Sequence, residues 1–448
     1  VQGDRVAIVL PNGVEMAIAI YGVLRARAAF SPINPTTTPA RIGRILNDMA
    51  AAAVICDPER APTAVAAAPG VPVVADVNAL QNRPIDPEAP MIGPDLASII
   101  YTSGSTGEPK GVTLSQANMS FVADSIIEYL EMTDSDRILC VLPLSFGYGL
   151  YQLLTCVRTG AQLVLEPGFG AAGSVVQILE EREITGFPAV PTIFQLLLSL
   201  RDLAERDLPR LRFLTNAGAG LPEPVVRAIR ETLPQADLYL MYGQTECQRV
   251  CYLPPSQTDA HPTSVGIAIP GTEAWIEDDE GNRVGAGVVG ELVVRGPHVM
   301  QGYWGQEEAT QRRLREGSWP WERDLRTNDL FRTDEDGNLH FVARRDDIIK
   351  SRGEKVAPRE VEDVLHALPE VAEVAVVGVP DELLGEAVHA HVAPREGHEI
   401  DPKALRRHCA GLLESHMVPK RVIVHDRLPR IASGKLDRRS LVAWTAEG

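Results

Sequence analysis

The chain has 448 residues, 45% of them hydrophobic and 23% charged, and carries a net charge of −17. That length exceeds what one hydrophobic core organises, so at least two domains are expected, and the composition excludes a largely disordered chain. The acidic balance speaks against a protein whose main task is holding nucleic acid or an anionic membrane surface, and no apolar run approaches the ~18 residues of a membrane span.

Taken in chain order, Gly3-Asp4-Arg5 leads straight into the apolar strand 6–10, which reads as entry in the middle of a domain. Further residues upstream of Val1 are therefore expected, and no leader pattern is read. A helix over 15–25, a strand over 28–33, a helix over 39–50 and a strand over 53–56 follow. Residues 57–94, rich in Ala and Pro, read as a long surface excursion. The rhythm resumes with strands 137–142, 161–165 and 211–215 and helices 149–158, 173–183 and 222–232. Short apolar strands alternating with helices predict a mostly parallel α/β sheet. From about residue 264, Gly-rich turns separate short strands such as 274–276 and 291–294, which predicts a β-rich subdomain. Beyond Asp346 the pattern is mixed: strands 347–349, 371–379, 387–393 and 421–425, with helices 358–367 and 402–414. The expected architecture is α/β, with a large N-terminal domain (1–345) and a small, mobile α+β C-terminal domain (346–448). The six cysteines (56, 140, 156, 247, 251 and 409) show no C-x-x-C spacing. Buried reduced thiols in a cytoplasmic protein are expected.

The most informative stretch is Tyr101-Thr102-Ser103-Gly104-Ser105-Thr106-Gly107-Glu108-Pro109-Lys110-Gly111. Glycines let a backbone turn tightly and aim its N–H groups at an anion, while four Ser/Thr hydroxyls and one ammonium add donors to the same space. A phosphate cradle is the natural reading; a plain Gly/Ser loop shares part of this composition. The stretch is not a Walker A motif, because Lys110 lies between Pro109 and Gly111 and opens no helix. A nucleophile elbow and a zinc-hydrolase motif are also absent.

Thr102 to Gly111 resembles the phosphate loop of the adenylate-forming superfamily, which holds acyl-CoA synthetases, peptide-synthetase adenylation domains and firefly luciferase. Further motifs follow in that family's order. Tyr242-Gly243-Gln244-Thr245-Glu246 resembles Y-G-x-T-E, and Gly290-Glu291-Leu292 with Gly302-Tyr303-Trp304 resembles G-E-L…G-Y. Arg326-Thr327-Asn328-Asp329-Leu330 resembles R-T-G-D-L. Arg344 to Lys350 with Gly353-Glu354 resembles the hinge and the loop after it, and Ser433-Gly434-Lys435 the terminal S-G-K. The resemblance runs from residue 1 to about 441.

It implies ATP-dependent activation of a carboxylate, followed by transfer to a thiol. Thr102, Ser103, Gly104, Ser105, Thr106, Gly107 and Lys110 would grip the phosphates. Glu246 would hold Mg²⁺, Thr245 would meet the α-phosphate, and Lys435 would bridge carboxylate and α-phosphate. Asp329 would accept both ribose hydroxyls with Arg344 as its partner, and Gly218, Ala219, Tyr242 and Gly243 would frame the adenine. Asp346 matches the hinge; turning there would withdraw Lys435 and deliver Gly353 and Glu354 for the thioester step. The acyl pocket would draw on Phe146, Gly147, Tyr148, Pro191, Thr192, Thr215 to Gly218 and Cys247.

Amino-acid-activating relatives carry Asp where this chain has Gly147, so a free α-amine would lack its counter-charge. The expected substrate is a fatty, aryl or alicyclic carboxylic acid, and the expected acceptor is coenzyme A. A carrier-protein phosphopantetheine is the alternative acceptor, and a non-catalytic nucleotide-binding regulator the alternative class. No nucleic-acid partner is expected. Three positions depart from the pattern. Asn328 and Ala343 replace glycines, and Arg27 stands where relatives often have Gly; the sequence offers no account of Arg27.

Overall fold

The structure is a computed structural model that describes residues 2–77, 91–103, 109–381, 383–430 and 436–446. Two seven-stranded sheets form the base. In the first, Ala29–Pro32, Arg5–Val9, Ala53–Cys56 and Val73–Val74 lie parallel, and Leu96–Ser103 joins beside Ala29–Pro32. In the second, Asp237–Tyr242, Phe213–Asn216, Gly186–Ala189, Arg137–Cys140 and Gln162–Leu165 are parallel. These strands are short and apolar because helices cover both faces, as parallel sheets require. Residues 57–94 hold the helix Ala61–Ala67 and the edge strand Val73–Val74, so part of that stretch extends the first sheet rather than wandering over it.

An antiparallel sheet follows, built from Glu273–Glu277, Gly290–Arg295, Arg323–Thr333, Leu314–Glu316 and Leu339–Arg344. The last ~100 residues fold around their own core, in which Ile349, Val361, Leu365, Val376, Val388 and Leu405 are buried. Strands Val371–Asp381 and Gly385–Pro394 pair antiparallel there, and helices Pro358–His366 and Arg438–Ala446 pack on Val371–Asp381. The chain is thus α/β, with a large N-terminal and a small C-terminal domain.

Three departures from the usual pattern acquire reasons. Arg27 follows the helix Val14–Arg25 with φ 58°, the left-handed backbone that suits glycine. It holds that conformation while its carbonyl accepts the Gly3 N–H at 2.9 Å and its guanidinium lies 3.8 Å from Asp95. Asn328 also has φ 59°, which Asn tolerates. Ala343 is buried in the strand Leu339–Arg344, where no left-handed conformation is needed. All six cysteines are free and buried.

Candidate active site

The phosphate loop joins two antiparallel strands, not a strand and a helix. Thr102 pairs with Lys110 and Ser103 with Pro109 across Leu96–Ser103 and Pro109–Ser115. Lys110 is therefore anchored on a strand. Gly104, Ser105, Thr106 and Gly107 lie outside the described residues, as does Lys435.

From Lys110 a continuous polar chain crosses the site. The Lys110 ammonium lies 5.4 Å from the centre of the Tyr303 ring. Tyr303 is placed by the short strand Gly302–Tyr303, which pairs with Pro109–Ser115. Its hydroxyl donates to Glu246 Oε1 at 2.7 Å. The Arg313 guanidinium stands 3.7 Å from the same oxygen and donates to Gln244 Oε1 at 2.8 Å. The Gln244 amide reaches the Tyr242 hydroxyl at 3.3 Å, and that hydroxyl donates to Asp329 Oδ2. Arg344 lies 3.6 Å from Asp329 Oδ1 and sits directly opposite it in the strand register.

The electrostatics follow from burial. Asp329 is buried, and burial, with Glu246 adding to it, raises its pKa against the pull of Arg344, Tyr242 and Arg313. Burial and the Asp329 carboxylate push the Tyr242 phenol well above its ordinary value, so the phenol stays the donor. Burial lowers the Arg313 pKa, but Glu246, Tyr303 and Asp329 outweigh it and hold the guanidinium charged.

The turn after Asp237–Tyr242 aims these groups. A Cβ on Gly243 would fall 2.3 Å from the Gln248 carbonyl oxygen, so only glycine permits the backbone to fold back there. Gln248 completes the turn at φ 61°. Thr245 is half-buried, with its carbonyl accepting the Gln248 amide at 2.7 Å. Gly218, at φ 88°, and Ala219 lie exposed beyond the strand Phe213–Asn216. Of the residues expected at the acyl pocket, Phe146 and Gly147 open the helix Gly147–Thr159. The Tyr148 hydroxyl contacts Thr215 Oγ1 at 2.7 Å and Pro191 and Thr192 start a second helix, Pro191–Leu198. Cys247 is fully buried.

Glu291 of the G-E-L motif links the candidate site to the segment expected to act as hinge. It accepts from Arg326 at 2.6 Å and from the Asn328 N–H at 2.9 Å, and Arg345 lies 3.6 Å away. The Asn328 amide donates to Asp346 Oδ2 at 2.9 Å. Gly353, at φ 84°, and Glu354 are exposed at the turn between Ile349–Ser351 and Glu354–Val356. Tyr303 carried no assigned role in the sequence reading, and Arg313 belonged to no motif; both lie in the centre of the chain of contacts.

The buried Glu246 carboxylate, with Tyr303 and Arg313 beside it, is a donor set that suits Mg²⁺, which is commonly held by one or two carboxylates plus substrate phosphates. Among the described residues one other grouping has metal-ligand spacing: His261 Nδ1 and His340 Nε2 lie 3.1 and 3.0 Å from Asp334 Oδ2. Asp334 is roughly 17 Å along the strand direction from Asp329, so this grouping does not meet the site.

Family models for the AMP-binding enzyme and its C-terminal domain match residues 1–304 and 360–435. An indoleacetate–CoA ligase of Aromatoleum aromaticum is 34% identical over 96% of this chain and 87% of its own. ATP-bound MatB from Rhodopseudomonas palustris superposes with a TM-score of 0.92 at 28% identity, over 99% of this chain and 89% of that one. The O-succinylbenzoate coenzyme A synthetase of Bacillus subtilis, in complex with ATP and magnesium ion, gives 0.88 at 30% identity, over 98% and 89%. The chain belongs to the AMP-binding enzyme family. Its class is that of the AMP-forming acid–thiol ligases, which use ATP and coenzyme A as substrates.

Proposed function

We propose that the chain adenylates a carboxylic acid lacking an α-amine at the cleft spanned by Lys110, Glu246 and Asp329, then passes the acyl group to coenzyme A. The observation that carries this reading is the unbroken polar chain from Lys110 to Arg344. It brings Lys110, Glu246 and Asp329 along one wall, which supports their roles as phosphate-binding ammonium, metal-holding carboxylate and ribose acceptor. Asp329 accepts the two ribose hydroxyls, and Tyr242 holds it in place. Lys110, with Thr102, Ser103 and Gly104 to Gly107, binds the β- and γ-phosphates, and Thr245 orients the α-phosphate. Mg²⁺ held at Glu246 would supply charge neutralisation on the phosphates. Lys435 brings its ammonium to the carboxylate and α-phosphate oxygens, where charge grows as pyrophosphate leaves. Gly218 and Ala219 offer a flat backbone face to adenine.

The boundary between domains is placed at 345/346, with Asp346 as pivot. Turning there brings Gly353 and Glu354 to the acyl-adenylate. Coenzyme A, rather than a carrier protein, is the acceptor. A cleft of about 310 Å³ next to the Gly353 turn is lined by Arg352, Arg406 and Lys420, the last ion-paired with Asp381 in the same wall; the two arginines are cations suited to its phosphates. A cytoplasmic location is part of this reading, supported by six cysteines that are all free and buried.

The test is ATP–pyrophosphate exchange across a panel of carboxylates, with thioester formation read separately. Lys435→Ala should lose most of the exchange and keep ATP binding. Exchange in no acid, with ATP bound, would favour a non-catalytic regulator and sink the reading.

A further inference from the structure

Arg249 is a buried cation without a counter-ion. It is 4% exposed, and its Nε has no hydrogen-bond partner. Among the described residues no carboxylate pairs with it; its guanidinium lies 5.4 Å from the centre of the Tyr148 ring. The surrounding groups are phenols and a thiol. The positive charge of Arg249 acts on Tyr129, Tyr148, Tyr151 and Cys251, against burial that raises all four. Tyr151, 2% exposed, has a buried hydroxyl that also lacks a partner. Two buried donors without partners thus lie close enough for the charge of one to act on the other.

A guanidinium stays charged at any physiological pH, and burying it unpaired is costly. A single ring contact of this kind offsets only a small part of that cost. Among the described residues nothing completes the pairing, which leaves room for a partner from outside. Tyr148 settles where that partner enters. Its ring faces Arg249, while its hydroxyl is fixed on Thr215 at the wall assigned to the acyl group. Arg249 is also only four residues beyond Thr245, on the turn that Gly243 allows to fold back, with its Cα 2.9 Å from where a Gly243 Cβ would stand. The phosphate-facing and acyl-facing sides of the cleft are therefore built from the same turn.

We propose that Arg249 binds a second carboxylate on the substrate, so that the acid activated by this enzyme is a dicarboxylic acid. One carboxylate meets the α-phosphate and the other meets Arg249, with Tyr151 donating to it. This assignment rests on the adenylation reading above and narrows it. Gly147 fits the same picture: a Cβ there would lie 2.2 Å from Gln248 Oε1, and no acid stands at that position to repel a second anion.

The experiment compares matched pairs of mono- and dicarboxylates of equal chain length in ATP–pyrophosphate exchange, for the wild type, Arg249→Met and Tyr151→Phe. The wild type should favour the diacid in kcat/KM by about 100-fold or more, since a site built for a charged group rejects the analogue lacking it. Arg249→Met should erase or invert that ratio, and Tyr151→Phe, which keeps the ring, should reduce it about tenfold. An unchanged ratio in Arg249→Met would overturn the proposal while leaving adenylation intact. Thermal stabilisation by the diacid without ATP decides the same question independently. A shift in the wild type that Arg249→Met abolishes supports the subsite even if no acid promotes exchange, and an equal or absent shift in both refutes it.

Discussion

Arg313 is the counter-charge of the candidate metal-holding carboxylate, and removing it has a calculable cost. It stands 3.7 Å from Glu246, both side chains being mostly buried. At an effective dielectric of about 20, that separation corresponds to roughly 4.5 kcal/mol of attraction. The net cost of Arg313→Met falls to about 3–5 kcal/mol, because the guanidinium no longer has to be desolvated but Glu246 keeps a buried negative charge. For a folding unit of some 345 residues this lowers the midpoint of thermal unfolding by roughly 4–7 °C. The assay is a four-way comparison at one scan rate: wild type, Arg313→Met, Glu246→Gln and the double variant. Glu246→Gln removes the charge that Arg313 balances, so the double variant should recover most of the loss seen in Arg313→Met. Strictly additive losses would refute the coupling and, with it, the claim that Arg313 neutralises Glu246 before nucleotide arrives.

Three further outcomes are expected. Asn328→Gly keeps the left-handed backbone but deletes the bond to Asp346; at an exposed site this is worth about 1 kcal/mol, so tryptic cleavage at Arg344–Arg345 should quicken roughly fivefold. At position 27, where φ is 58°, Arg27→Gly should be more stable than Arg27→Ala by about 1 kcal/mol, and equal unfolding midpoints would contradict the left-handed assignment. His298 is fully buried against Phe121, and burial holds its pKa down to about 4. Its folded value lies below the unfolded one, so its share of stability is present above pH 6.5 and is lost as pH falls toward 4, by up to about 3 kcal/mol. His298→Leu should flatten that part of the acid limb in a series of thermal melts, and an unchanged limb would show that the imidazole is not the group titrating.

What was legible in the sequence is what local pattern encodes. Alternating apolar strands and helices announced the parallel sheets, and ordered motifs placed Glu246, Asp329 and Lys110 in one function before any coordinates. The residues that escaped are those whose role arises from long-range pairing. Arg313 ends the helix Glu307–Arg313 and looks like any solvated arginine in a last turn until the fold carries it to Glu246. The hairpin under the phosphate loop was not read because strand pairing leaves no local mark. The helix Gln116–Leu130 escaped for a local reason: its capping box uses Asn118 at the position where Glu or Gln is the usual signal. Arg249 shows the reverse limit. Its place in the sequence was plain, but only its burial without an acid makes it chemically interesting.

The register of Asp329 with Arg344 has one more consequence. The rung that would grip the sugar is adjacent to Asn328 on one strand and two residues before Asp346 on the other, with Glu291 fastening Asn328 and Arg345 from beneath. If the smaller lobe pivots at Asp346 as proposed, a nucleotide seated on that rung pulls on the same few ångströms of chain about which the lobe swings. Occupancy and posture would then be two readings of one gauge, with no separate messenger between an empty cleft and a turned lobe.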